Sequence, residues 1–171
     1  MCEILTNSPR LETARLILRA MTQGDAEGYG ELLSDETAYP YITDAGPIDA
    51  SEIPGRISRN HEFFLSEHAI YWALEYGGIF IGYAALHGPA QKTPSLSYAI
   101  RRNWRRQGFA AEAPESICNH AFSVLGSREV VARSHLDNEA SETLLRQLGF
   151  RNLGTVSVAA GARREFRRTA V

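Results

Sequence analysis

Tyr98–Ala113 reads Y-A-I-R-R-N-W-R-R-Q-G-F-A-A-E-A. Its first residues close a strand: Leu96, Tyr98 and Ile100 alternate with Ser97 and Ala99, the period of a half-buried strand. Its last residues open a helix, since Phe109–Leu125 carries apolar side chains at Ala110, Ala113, Ile117, Ala121 and Leu125, close to helical spacing. Between the two lies Arg105-Arg106-Gln107-Gly108-Phe109-Ala110. Small residues at Gly108 and Ala110 allow a ligand close to the backbone, and the first amides of a helix have no partner inside it. Those amides and the positive end of the helix dipole suit a phosphate anion, with Arg105 and Arg106 beside it.

The kind of phosphate follows from what is missing. A nucleotide P-loop needs Gly-Lys-Ser/Thr, and the single lysine, Lys92, lies elsewhere. A dinucleotide fingerprint needs three glycines where this turn has one. The pattern Arg-x-x-Gly-x-Ala after a strand instead resembles the pyrophosphate loop of the GNAT N-acetyltransferases, the acetyl-CoA family.

Working outward, 171 residues with 44% hydrophobic and 22% charged content fit one domain, residues 1–171, with an adequate core. A net charge of −2 argues against nucleic-acid binding. No apolar run spans a bilayer, and the N-terminus lacks the apolar core of a signal peptide, so neither a membrane partner nor export is expected. Cys2, on a terminus, and Cys118, on a helix, are not placed for a disulfide, which fits a reducing cytoplasm. The five histidines show no metal-ligand spacing. Charge is uneven: ten acids against Arg56 and Arg59 between Thr22 and His68, then twelve arginines against seven acids from Arg101 onward. Two solvated surfaces explain this. So would a polyanion held by the second half and a cationic acceptor drawn to the first.

Leu11–Met21 alternates as a first strand. Thr22 with Asp25 makes a capping box that opens a helix to about Leu33. Thr37–Gly55, with Pro40, Pro47 and Pro54, reads as loop, and a second helix follows over Ile57–Leu65. Ile70–Tyr76 and Ile79–His87 form a hairpin about Gly77-Gly78, and the 95–100 strand follows. After the central helix come a strand at Glu129–Ser134 and a helix capped by Asn138, with Ala140, Leu144, Leu145 and Leu148 on its apolar face and Gly149 at its end. Phe150–Val158 and Arg163–Arg168 close the chain as a hairpin about Gly161. The order β-α-α-β-β-β-α-β-α-β-β predicts an α/β (α+β) domain.

That order is also the order of the family, and the text is similar to its ribosomal-protein N-terminal (RimJ/RimL-like) branch at four places. These are Glu12–Arg19, Gly82, Asn103–Ala113 and Asn138–Phe150. The resemblance covers residues 11–155. It implies a mixed sheet of six to seven strands splayed near its middle, about four helices, and acetyl-CoA in the gap as cosubstrate. The pantetheine arm would bond to the strand at Tyr98, Ala99 and Ile100. The pyrophosphate would sit on the amides of Arg106, Gln107, Gly108, Phe109, Ala110 and Ala111, with Arg105 beside it. Asn138 and Ser141 would face the pantetheine and the sulfur.

The sequence departs from the pattern where chemistry is concerned. Members often carry a tyrosine seven residues after the asparagine, as the acid for the leaving thiolate; here that residue is Leu145. The glutamate base of the strand before the loop is Ser95. Ser141 is the remaining hydroxyl near the sulfur, and His87, Glu75 and His135 are the bases available. The expected reaction is direct acetyl transfer from acetyl-CoA to a primary amine, either a protein N-terminus or a small molecule, by a monomer or homodimer. A domain that binds acyl-CoA without turnover is the alternative that the missing tyrosine and glutamate leave open.

Overall fold

A computed structural model describes residues 7–43 and 46–170. Cys2 and Asp44 lie outside them. One sheet of eight strands runs through the molecule in the order β1-β2-β3-β4-β5-β6-β8-β7. Its strands are β1 (Leu11–Glu12), β2 (Ile17–Arg19), β3 (Ala69–Tyr76), β4 (Ile79–His87), β5 (Ser95–Ile100), β6 (Glu129–Ser134), β7 (Arg151–Val158) and β8 (Gly161–Thr169). The helices are α1 (Ala26–Ser34), α2 (Tyr39–Ile42), α3 (Ile53–Leu65), α4 (Phe109–Ser123) and α5 (Glu139–Gln147). The mixed α/β class agrees with expectation, but the eight strands and five helices among the described residues exceed the six to seven and four expected.

The extra strand comes from Leu11–Met21, which is not one strand. Leu16 N donates to Thr13 Oγ1 at 2.8 Å and Thr13 N to Leu16 O at 3.0 Å, and this turn folds β2 back antiparallel onto β1. The extra helix is α2, a single turn inside the proline-rich loop. Pro40 stands in its first turn, where a missing N–H costs nothing. Elsewhere local chemistry holds. The Thr22/Asp25 capping box is present, starting with a short 3-10 turn before α1. Gly77 and Gly78 both take positive φ (58° and 82°), as a tight hairpin requires. The final hairpin turns at Ala159-Ala160, with Val158 paired to Gly161.

The helices cover the sheet on both faces. Leu18, Trp72, Leu74, Ile81, Ala84, Leu86, Leu96 and Val130 pack under α4 and α5 with Ile117, Cys118 and Leu145. Ala73, Phe80 and Tyr83 pack on the opposite face with Tyr29, Leu32, Ile53 and Ile57 of α1 and α3. Burying a side chain of this size stabilises by about 1.5–3 kcal/mol. Cys118 is free and buried, and burial pushes its thiol up to about 12.

Every strand pair is antiparallel except β5 with β6. That parallel pair holds register only at Ser95↔Val131 and Leu96↔Ala132. β5 then follows β4 as far as Gly82↔Ile100, while β6 follows β8 as far as Ser134↔Arg164. The two strands therefore part after Leu96 and Ala132, and the sheet is open at its middle.

Candidate active site

The gap between β5 and β6 is the heart of a cavity of about 600 Å3. Its walls come from β5 (Leu96–Ile100), the end of β6 (Ala132–His135), the start of α5 (Asn138–Ser141) and α2 with the residues before it (Thr37–Ile42). Tyr71, Tyr83 and His87 complete it from β3 and β4. Past the C-terminal end of β5, Arg105, at the start of the turn that leads into α4, also lines it.

That turn is built for an anion. Arg106 (φ 61°) and Gly108 (φ 85°) are both left-handed, a curl that turns successive N–H groups to one side. The N–H groups of Arg106, Gln107, Gly108, Phe109 and Ala110 donate to no acceptor among the described residues, whereas those of Ala111 and Glu112 are taken by Gly108 O. The two arginines have separate duties. Arg105 is committed inward: Nε to Ile100 O (2.8 Å), Nη1 to Thr37 Oγ1 (2.7 Å) and Nη2 to Asp35 (2.7 Å). Arg106 is exposed and forms no ion pair among the described residues.

The turn is held from an unexpected quarter. Arg15, on the β1–β2 turn, bonds Glu112 Oε2 (2.8 Å) and Gln107 O (2.9 Å) and lies 4.4 Å over the Phe109 ring. Thr13 also donates to Glu112. Those bonds hold the Glu112 carboxyl below its ordinary value, although burial alone would raise it.

Of the remaining expected residues, Asn138 caps α5 by accepting Ser141 N–H at 3.1 Å and lines the cavity. Ser141 Oγ lies 3.3 Å from Tyr98 Oη. A phenol therefore stands beside Ser141 although Leu145 replaces the helical tyrosine; it comes from β5. Burial raises the Tyr98 phenol above its ordinary value against the opposing bond from Ser141, so it stays protonated. Leu145 itself is 1% exposed and belongs to the core.

Among the three bases, His87 lines the cavity with Nε2 3.0 Å from Ser97 Oγ, and burial lowers its pKa, keeping the ring neutral. His135 lines it too, edge-on to Tyr41 at 5.4 Å. Glu75 is not brought there: it accepts from Arg19 Nε at 2.6 Å, between β2 and β3. Three acids of the first half are paired similarly. Asp25 pairs with Arg19, Asp35 with Arg105 and Glu31 with Arg101. Among the described residues the only carboxylates lining the cavity are Asp137 and Glu139, and Tyr41, Tyr71 and Tyr83 line it with aromatic rings.

Sequence reasoning missed Ser134. Its position was readable, since on β6 it shares parity with the buried Val130 and Ala132 and so points to the α4/α5 face.

A family model described as acetyltransferase (GNAT) domain matches residues 15–151. A Bacillus subtilis protein named uncharacterized N-acetyltransferase YoaA is 33% identical over 155 residues, 86% of each chain. RimL, a ribosomal alpha-N-protein acetyltransferase in complex with coenzyme A, superposes with a TM-score of 0.81 at 16% identity, covering 94% of this chain and 98% of its own. The microcin self-immunity acetyltransferase MccE in complex with acetyl-CoA and AMP gives 0.77 at 17%, covering 92% and 93%. At such identities the two structures speak for the fold, while the family model and the bacterial relative carry the assignment. With the opened sheet and the unpaired amides at the α4 turn, they make this chain a member of the GNAT acetyltransferase family, an acetyl-CoA-dependent N-acetyltransferase.

Proposed function

We propose that the enzyme acetylates a primary amine, a protein N-terminus or a small molecule, by direct attack on acetyl-CoA in a ternary complex. The observation that carries this reading is the parting of β5 from β6 beside a turn with unpaired amides. The diphosphate rests on the amides of Arg106–Ala110 with the Arg106 guanidinium near, and Ala111 flanks it. The pantetheine arm lies along β5 at Tyr98, Ala99 and Ile100, whose carbonyl also accepts from Arg105 Nε. Asn138 meets the arm from α5.

The acceptor enters from the side of α2, where Tyr41, Tyr71 and Tyr83 line the cavity with aromatic rings of the kind that suit an ammonium group. Neutral His87 takes the proton, and the free amine attacks the thioester carbonyl. Held about 3 Å away, it needs little further help, because positioning supplies much of the rate. Ser141, bonded to Tyr98, donates a hydrogen bond to the departing sulfur. RimL and MccE support both acceptor classes equally, one acting on a ribosomal protein and the other conferring immunity to a microcin. A cytoplasmic setting fits the free Cys118.

Gly108→Glu tests the cosubstrate site. The side chain would need a left-handed backbone, would meet Arg15 Nη2 3.1 Å from its Cβ and would bring negative charge to the diphosphate. Calorimetry should show CoA affinity falling at least a hundredfold in a folded protein; unchanged affinity would refute the site. A turnover screen with acetyl-CoA, N-terminal peptides and small amines, following CoA release, decides the acceptor class.

A further inference from the structure

Ser134 is 3% exposed, lines the cavity, and its Oγ has no hydrogen-bond partner among the described residues. Among the described residues, the other buried side-chain polar atoms without partners, on Arg56, Ser127 and Arg167, belong to residues that do not line it, and Glu142 Oε1 and Arg164 Nε pair with each other at 2.8 Å. A hydroxyl sealed from water without a partner is unfavourable, so one that faces a binding cavity is best explained by a partner on the ligand.

Its level in the gap says which part of the ligand. Continuing the β5–β6 register past Leu96↔Ala132 sets Ser134 opposite Tyr98, whose Oη is 3.3 Å from Ser141 Oγ. Three hydroxyls, from β5, β6 and α5, thus gather at one level, two residues or about 7 Å from the closed vertex of the gap. A cosubstrate anchored at the α4 turn enters at the open mouth and runs its arm toward that vertex. The hydrogen bonds at Leu96 and Ala132 stop it there. The end of the arm that reaches these hydroxyls is the acyl thioester.

We infer that Ser134 Oγ donates a hydrogen bond to the thioester sulfur, opposite Ser141, and stabilises the thiolate that leaves. This rests on the acetyl-transfer reading above. In the step, the amine nitrogen bonds to the carbonyl carbon, the carbon–sulfur bond breaks and its electron pair goes to sulfur. Ser134 keeps its proton and holds the anion by a charge-assisted bond, while the second proton that the nitrogen sheds on becoming an amide leaves through His87, which has already passed the first to solvent.

The test uses wild type, Ser134→Ala and Ser134→Cys. Ser134→Ala should lower kcat about ten- to a hundredfold, as for the loss of one bond to a developing charge, with KM for acetyl-CoA little changed. Without ligand its Tm should be no lower than wild type, since no native bond is lost. Ser134→Cys, incubated with CoA disulfide, should exchange to a mixed disulfide at position 134, located by peptide mapping against the Ser134→Ala protein, which keeps Cys2 and Cys118. Wild-type kcat in Ser134→Ala, a raised KM at unchanged kcat, or no labelling of position 134 in a variant that binds CoA would each overturn the inference. A wild-type protein that neither binds CoA nor acetylates any amine in the panel would instead overturn the reading beneath it.

Discussion

At Asp25 a carboxylate only 4% exposed accepts from Arg19 Nη1 and Nη2 and from Thr22 N, each at 2.8 Å. Burial alone would raise its pKa, but the bonds from Arg19 and Thr22 outweigh it and hold the carboxyl below the ordinary range. A depressed acid stabilises the fold above its unfolded pKa, near 3.9, and loses that contribution as pH falls through the folded value. Asp25→Asn should therefore be less stable than wild type at neutral pH, by about 2 kcal/mol in urea titrations, and the difference should shrink toward pH 2. His87 is shifted down by burial, and the sign for activity follows. Its ring stays neutral below the usual value of about 6.5, so the acid limb of kcat/KM assigned to it lies on the acid side of 6.5. His87→Gln should lower kcat/KM at neutral pH and remove that limb; a limb unchanged in this variant would assign it elsewhere.

Among the elements, β4 and β5 show what the glycine picked out by the family resemblance does. A Cβ on Gly82 would stand 2.3 Å from Ala99 O, on the strand that forms the cavity wall. Gly82→Ala must push β5 away, and we expect a loss of about 2–3 kcal/mol in stability, with weaker CoA binding in calorimetry. The hairpin at Gly77-Gly78, the α4 turn at Gly108 and the helix stop at Gly149 were legible for a different reason: a local backbone demand for positive φ selects the residue. The β1–β2 turn and α2 were not. Strands of two or three residues and a helix of one turn carry no period, and the bonds that fix the first turn are made by side chains. Arg105 was legible as a cation beside the turn but not as a brace, because its partner Asp35 lies 70 residues away. The three hydroxyls of the site come from three elements, and only their juxtaposition joins them.

For the molecule as a whole, the uneven charge seen in the sequence has a structural use. Glu31, Asp35 and Asp25, from the acidic half, are each held by an arginine, and two of those arginines, Arg101 and Arg105, flank the α4 turn. The first half is thereby tied to the end of β5. Cosubstrate binding should add to this tie: a ligand bound only by the folded state stabilises it by RT ln(1 + [L]/Kd), about 2.7 kcal/mol at a hundred times Kd. Tm should climb steadily with CoA and stay flat in Gly108→Glu. The opened sheet also carries a liability. Beyond Leu96 and Ala132, β5 and β6 each present an inner edge with no strand partner, and such edges invite strands from other chains. An arm of CoA lying between them acts as a chaperone for its own binding site. Protein stripped of CoA should accordingly aggregate sooner on concentration or mild heating than the same protein kept with it, which light scattering would register well below the temperature of unfolding.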